Sequence, residues 1–399
     1  MNILILTRIA NKNGNSIYNS YTQGITNNYP NTIVLDYFDL YFENGKQGFE
    51  QVILEQIAIH GIDTIFINFV SGDLTFDLVF LERLSTQCFL MMNFYDTELF
   101  FEPIDRYYAQ CADIVLLPTA SYFTYSYSLL GIHAISTLSL FDSALYQTLD
   151  IIKDIDISFV GDVSKKSRRD FVEYLRLQGY QVEVFGQGTV HGNVSFEKMV
   201  EIFNRSKINL NFSDTVNERT FNTHSNTDYS LVPNIMRYMT QIKGRSIEVA
   251  LCGGFVLSQY ATGIEELFNE NEMALFNSKE ELVEKISFYL KEDHQRDVMS
   301  ENAHKRALQD YDATKAFAHL FSTLSLQKTP KVIYTDTAFL SHYATYHALY
   351  LFNFLFKLKI SYAWEEFKLM MPFKIHFNTF FSHLKQQFHY QVTRKWMKR

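Results

Sequence analysis

Apolar and polar positions along most of this chain change in blocks rather than residue by residue. Residues 2–6, 32–35, 64–69, 88–93 and 113–117 are apolar runs of four to six residues, rich in Ile, Val, Leu and Phe and edged by Asp, Asn, Pro or Gly. Runs of that length without alternation predict strands buried on both faces, as in parallel sheets. Between them the apolar spacing lengthens, and Val52, Ile53, Ile57 and Ile59 share one face of a helix predicted over residues 49–60. Strand and helix in alternation predict parallel crossovers, hence an α/β doubly wound sheet.

A second series begins after Asp154-Ile155-Asp156, with strands predicted at 157–160, 181–185, 208–212, 254–257 and 273–276. Helices are predicted at 168–177, 195–204, 235–251 and 279–291, and two more, 295–310 and 313–324, are expected to close this unit. The expected organisation is a Rossmann-like domain over residues 1–150, a second over 151–328, and a helical extension over 329–399. A length of 399 residues suits two such domains.

Composition narrows the class. Hydrophobic residues at 47% against charged residues at 20% describe a globular chain. A net charge of −8 and a pI near 5.9 exclude nucleic-acid binding by bulk electrostatics. The three cysteines, Cys88, Cys111 and Cys252, lie in apolar runs without CxxC spacing and read as buried thiols of a reducing compartment. The first apolar run starts at Asn2 with no basic leader before it, so the expected location is cytoplasmic.

Charge is unevenly spread. Residues 331–399 hold ten Lys or Arg against Asp336, Glu365 and Glu366, a surplus of +7 that leaves −15 for the rest. Residues 337–356 contain no Lys, Arg, Asp or Glu, but Ser341, His342, Thr345, His347 and Asn353 argue against a spanning helix. Beyond them Phe367, Met370, Met371, Phe373, Phe377, Phe380 and Phe381 mix with Lys368, Lys374 and Lys385. Such a segment suits peripheral contact with an anionic membrane, here its inner face, or a dimer contact. Packing on the protein itself is the commoner use of aromatic stripes and is the favoured expectation.

The chemistry-bearing signals concentrate in the second half. In Lys243-Gly244-Arg245-Ser246-Ile247-Glu248, Arg245 and Glu248 stand three apart on one predicted helix face. Gly253-Gly254 ends the helix before a buried strand. A carboxylate so placed can accept ribose hydroxyls, and Lys243 or Arg245 can meet phosphate. The plainer reading is a surface ion pair and a helix cap, which composition alone favours.

This stretch, with the following Gly263-Ile264-Glu265-Glu266-Leu267-Phe268, resembles the donor-binding region of GT-B glycosyltransferases, most closely the CgeB-like branch. The upstream Val194-Ser195-Phe196-Glu197-Lys198-Met199 and Asn204-Arg205-Ser206-Lys207-Ile208-Asn209-Leu210-Asn211 continue the resemblance. It covers residues 157–317 well and extends weakly into the first half through 94–100, 113–118 and 130–133. The resemblance implies two Rossmann-like domains facing a cleft, with Glu248 holding the donor ribose. Relatives often carry a second glutamate eight positions earlier, where this chain has Thr240.

Weaker signals follow. Gly161, with Lys166 as the favoured cation in Lys165-Lys166-Ser167-Arg168-Arg169, could hold a pyrophosphate or simply begin a solvated helix. Gly14 and Asn15 lie in the loop after the first strand, which in GT-B enzymes faces the cleft. Asp96 and Glu98 follow a buried strand and are candidate catalytic bases; the plainer reading is acids at a helix N-terminus. His133 and His224 are more remote candidates. Asp154-x-Asp156 has metal-binding spacing but sits in the interdomain link, and no His/Cys/Asp set has zinc spacing, so no bound metal is expected.

The expected function is transfer of a sugar from a nucleotide diphosphate-sugar to a hydroxyl of a glycan, lipid-linked or protein acceptor. The nucleotide-sugar is then a substrate, and no cofactor is expected. The alternatives are a nucleotide-sugar epimerase and a catalytically degenerate binding module on the same fold.

Overall fold

The computed structural model describes residues 1–9, 17–214, 240–325, 327–328, 330–373, 380–381 and 384–385. Among these, two parallel sheets form. The first contains β1 (Ile3–Thr7), β2 (Ile33–Asp36), β3 (Thr64–Phe69), β4 (Phe89–Phe94), β5 (Ile114–Leu117) and β6 (Ala134–Ser136), in the order β2-β1-β3-β4-β5-β6. The second contains β7 (Ile155–Val160), β8 (Val182–Phe185), β9 (Ser206–Asn211), β10 (Val256–Gln259) and β11 (Ala274–Phe276), in the order β11-β10-β9-β7-β8. Both wind alike. The opening strand lies between the second and third, so each sheet reverses direction once, at β1/β3 and at β7/β9. In such sheets the crevice beyond the strand ends at the reversal is where ligands bind.

Every residue of β1, β3, β4 and β5 is buried, which is why each reads as an unbroken apolar run. The short β6 was not expected. It is a partly exposed edge strand of three residues, too short and too mixed to leave a pattern.

The longer helices are α1 (Ile17–Asn28), α2 (Tyr37–His60), α3 (Leu78–Gln87), α4 (Lys166–Leu177), α5 (Phe196–Arg205), α6 (Arg245–Leu251), α7 (Lys279–Tyr289), α8 (Asp293–Asp310), α9 (Ala313–Thr323), α10 (Thr337–Phe356) and α11 (Ile360–Met370). Helix α2 starts well before the predicted residue 49. The Asp36 side chain caps it by accepting the Phe38 and Asp39 amides, and Gly45 kinks it at φ 70. Glycines at 45 and 48 masked the helical period there.

Two further differences affect the site. The helix predicted over 235–251 begins at Arg245, while residues 240–243 run beside the end of β9. Thr240 bridges Asp214, and the Gln241 amide donates to Ser213 O at 2.8 Å. Residues 235–239 lie outside the described residues. Helix α9 does not close the second unit but crosses to the first, where Phe317 packs edge-on against Tyr21 and Asn28 donates to Thr314 O at 2.8 Å. The outgoing chain at Phe141 and the returning chain at Tyr311 and Ala313 exchange backbone hydrogen bonds of 2.9 and 2.8 Å. The halves are thus joined by two adjacent crossings.

The extension completes the first half. Phe339, Tyr343, Ala344, Ala348, Tyr350 and Phe354 of α10 join a core with Tyr37, Tyr41, Phe49, Phe69 and Phe76. Between α2, α10 and α11 lies a buried polar cluster. Tyr41 donates to Glu366 Oε1 at 2.6 Å, and His347 Nδ1 lies 2.6 Å from Glu366 Oε2. His347 Nε2 faces Leu74 O at 3.1 Å, so both ring nitrogens meet acceptors. The inner faces of α10 and α11 therefore pack on the protein. Among the described residues no helix is long and apolar enough to cross a membrane. Cys88, Cys111 and Cys252 are buried and unpaired.

Candidate functional site

The reversal point of the second sheet gathers cations. After β7 the chain turns at Gly161, whose amide donates to Phe185 O at 2.8 Å. Gly186, at φ 122, passes so close that a Cβ there would lie 2.3 Å from Gly161 O. Two glycines thus let the β7 and β8 exits touch and leave the next residues facing the strand ends. Lys165 is the N-cap of α4, and Arg168 lies in its first turn. From β9 comes Asp214, which accepts Arg168 Nε at 3.0 Å on Oδ1 and Lys165 Nζ at 3.3 Å on its carbonyl. Arg168 also donates to Asp162 O at 3.3 Å. The extended stretch before α6 adds Lys243, whose ammonium donates to Gln241 Oε1 at 2.6 Å.

These cations are held partly out of water. Burial pulls the Lys165 ammonium down from 10.5 to about 8; repulsion from Arg168 and Lys243 adds to this, and attraction to Asp214 and Asp96 opposes it. Burial also lowers Lys243, against the pull of Asp96 and Glu98. Two lysines whose charge is costly in the protein alone would be stabilised by an entering anion.

Carboxylates face them from the first half. Asp96 follows β4 with φ 52, a left-handed conformation uncommon outside glycine, and accepts Ser71 Oγ at 2.7 Å. It makes no side-chain cap to the short helix it precedes. Glu98 accepts from the Thr119 hydroxyl and, at 2.8 Å, from Gln241 Nε2. Gln241 therefore links Lys243 on one side of the cleft to Glu98 on the other. Behind them Asp105 is buried at the end of a π-helical turn, Phe101–Asp105, and burial pushes its carboxyl well up, with Asp96 and Glu98 adding repulsion. A second cross-cleft contact is a two-pronged clasp: Glu266 accepts the Ser121 amide at 2.8 Å and the Ser121 hydroxyl at 2.9 Å.

Arg245 and Glu248 form an adjoining cluster. They pair at 2.8 Å and are only 24% and 14% exposed, so this is no solvated surface pair. The Arg245 guanidinium lies over the Phe203 ring at 5.2 Å and meets Met199 Sδ at 2.8 Å. Glu248 Oε1 accepts the Tyr146 hydroxyl at 2.8 Å, and the Tyr146 ring packs edge-on against Phe196. Lys243 and Arg245 are two residues apart, so their Cα atoms are within roughly 7 Å.

Other candidates lie elsewhere. Lys166 is 66% exposed and pairs with Asp170 at 2.6 Å, pointing away from the cluster that its neighbour Lys165 enters. Gly253 caps α6 at φ 69, and a Cβ on Gly254 would meet Val249 at 2.8 Å. Both glycines sit at the amino end of β10, across the sheet from the cation cluster, where they allow a tight helix-to-strand turn. His133 directly precedes β6 and likewise lies at the wrong end of its sheet. Gly14, Asn15 and His224 lie outside the described residues. Asp154 binds Arg205 and Asp156 binds Lys207, and among the described residues no group of three or more His, Cys, Asp or Glu converges on a metal-sized space.

The sequence reading named Lys165 and Arg168 only within the basic run, favouring Lys166, and it missed Asp214, Gln241 and Tyr146. Lys165 and Arg168 carried a signal, since a helix starting at 166 turns both 165 and 168 toward its amino end. Gln241 and Tyr146 carried none, because the carboxylates they reach, Glu98 and Glu248, are more than 100 residues away.

Comparison with known proteins bears on the fold. Residues 166–322 match a family model described as glycosyl transferase-like. No curated protein sequence matches. Among solved structures, HepE from Anabaena in complex with UDP and glucose superposes with TM-score 0.56 at 14% identity, covering 81% of this chain and 100% of that one. Sucrose-phosphate synthase from Thermosynechococcus elongatus gives 0.55 at 12%, covering 81% and 98%. A glycosyltransferase from Rickettsia africae gives 0.54 at 11%, covering 80% and 97%. With two Rossmann-like parallel sheets facing one another and a helical carboxyl-terminal region, the chain has the GT-B fold of glycosyltransferases.

Proposed function

We propose that this protein transfers a sugar from a nucleotide diphosphate-sugar to an acceptor hydroxyl in glycan or glycoconjugate synthesis. The observation that carries the reading is the convergence of Lys165, Arg168 and Lys243 at the reversal point of the second sheet, opposite Asp96 and Glu98. The three cations would bind the diphosphate and take up the charge that develops on it as the glycosidic bond breaks. The α4 amino terminus adds its dipole in the same place.

Glu248 would accept ribose hydroxyls. Two of its acceptor sites are used by Tyr146 and Arg245, and an ionised carboxylate offers about four. Asp96 and Glu98 are the candidate groups for deprotonating the acceptor. The nucleotide base and the sugar are proposals of a further order. UDP and UDP-glucose are the first ligands to test, since HepE was solved with them.

Thermal-shift measurement against nucleoside diphosphates and their sugars is the direct test, because a ligand that binds only the folded state raises the melting temperature. Stabilisation by one nucleotide series, with release of free sugar or its transfer to an acceptor, is the expected result. Binding without turnover would favour a catalytically degenerate module, a reading that Thr240 supports by standing where related enzymes carry a glutamate. No response to any nucleotide would sink the proposal.

A further inference from the structure

The outer face of the extension carries an apolar surface that the inner packing does not explain. Helix α11 buries Ala363, Glu366 and Met370 against the protein, while Ile360, Trp364, Phe367 and Met371, spaced four, three and four apart, form its exposed face. Trp364 is 52% exposed and stacks on Phe367 at 5.4 Å. The turn leading into α11 adds exposed Leu355 and Leu358.

Leu358 is the telling residue. The end of α10 is a full Schellman turn, in which Lys359 N–H donates to Phe354 O at 2.9 Å and Leu358 N–H to Leu355 O at 3.1 Å. The left-handed position of that turn, normally a glycine, is Leu358 at φ 58, and its side chain is 83% exposed. The fold therefore accepts backbone strain in order to hold a large apolar side chain out in solvent.

Charge identifies the occupant. Exposed Lys357 and Lys368 flank the face, and the Lys368 ammonium lies over the Trp364 ring at 5.6 Å. The acids of α11 itself are turned aside: Glu366 is buried, and Glu365 is partly covered, its carboxylate 3.5 Å from the Gln47 amide, which leaves Glu43 of α2 as the exposed acid beside the face. The segment from Lys331 onward carries +7 on a chain whose remainder carries −15. A second copy of this chain would bring the same cations against themselves at a two-fold contact. We propose that this face docks on an anionic lipid bilayer, with Leu358, Ile360, Trp364 and Phe367 entering the interface and the lysines meeting headgroup phosphates. The face lies beside Phe42 and Glu43 of α2, whose carbonyls accept the Lys359 ammonium, a few residues from the strand end where α2 begins. Docking would bring the first half's cleft edge near the membrane, which favours an acceptor held there. The docking itself does not depend on the sugar-transfer reading.

The test is sedimentation of the full-length protein with vesicles of phosphatidylcholine alone and of phosphatidylcholine and phosphatidylglycerol in equal parts. Binding to the anionic vesicles only, weakened by salt, is expected. In a Trp396→Phe background the Trp364 emission should shift to the blue on binding. Leu358→Gly separates docking from folding. It relieves the left-handed strain, so the melting temperature should hold or rise, while vesicle affinity falls on the order of tenfold. Trp364→Ser should weaken binding similarly. No sedimentation with anionic vesicles, or binding unchanged in both variants, overturns the proposal. Self-association lost in these variants without vesicle binding would assign the face to a second copy and overturn it as well.

Discussion

The second sheet presents Lys165, Arg168 and Lys243 at its strand ends, whereas the first, wound the same way, presents Asp96 and Glu98, with Asp105 buried behind them. Each wall limits the other. Burial weakens the lysines as cations, and the facing carboxylates, with Gln241 between them, partly restore their charge. A diphosphate entering this cleft has only one wall to bind, since the other repels it, and this orients a donor without any contact to its sugar. The halves also differ in how they are completed. The second half packs on its own helices and on Phe141 and Tyr146 before it, while the first adds α9, α10 and α11, all of which follow the second half in sequence, to its own α1, α2 and α3.

The most damaging way to break this comparison is Glu366→Ala. It leaves the His347 ring and the Tyr41 hydroxyl buried without the carboxylate they meet, a loss of about 1–3 kcal/mol for each group left unsatisfied. If the first half depends on the extension, hydrogen exchange should accelerate across β1 to β5 and α2 while β7 to β11 keep their protection. Equal acceleration in both sheets would show that the halves unfold as one unit. Next in size is Lys243→Met, which keeps the apolar stem and removes the charge. Calorimetry should show UDP binding weakened about a hundredfold, the scale of losing a charge-assisted phosphate contact in a partly buried site. An unchanged affinity would remove Lys243 from the donor wall.

The first sheet was most legible at β1, β3, β4 and β5, which are buried on both faces and so print continuous apolar runs into the sequence. The second half's motifs were legible because Lys243, Arg245 and Glu248 lie within six residues. The assembled site was less so. Lys166 was favoured in a run of basic residues, but the start of α4 turns it to solvent and leaves Lys165 at the strand ends. Gly253 and Gly254 were read as part of the grip on the ligand, yet their positions answer to packing against Thr148 and Val249. The helix expected over 235–251 concealed Gln241, which reaches Glu98 only because residues 240–243 are extended beside Ser213 and Asp214.

Titration sharpens the contrast between the walls with a smaller effect. Lys165 in the folded protein loses its proton near 8, below the ordinary 10.5, so its charge opposes folding below about 8 and that penalty has vanished above 10.5. For a diphosphate the sign is favourable only while the ammonium is present. UDP affinity should therefore fall as pH rises through 8, by at most about tenfold per unit, and binding above 8 should take up a proton from the buffer. Lys165→Arg keeps its charge across this range and should flatten the profile. If that variant keeps the wild-type profile, another group is responsible.

The finest division lies within the donor wall, between the cations at the β7/β9 crevice and the pair Arg245 and Glu248. Tyr146→Phe removes one hydroxyl from Glu248 Oε1 and leaves the ring packed on Phe196. A hydrogen bond of this kind contributes about 1 kcal/mol, or roughly fivefold in affinity where it positions a ligand group. If Glu248 holds ribose, the loss should appear with UDP and be absent with inorganic pyrophosphate, which touches only the cations. Lys243→Met should weaken both ligands. An equal loss of both ligands in Tyr146→Phe would mean that the two clusters act as one. A loss of folding stability alone would assign Tyr146 to bracing the interdomain link and leave the ribose contact of Glu248 without support from its neighbour.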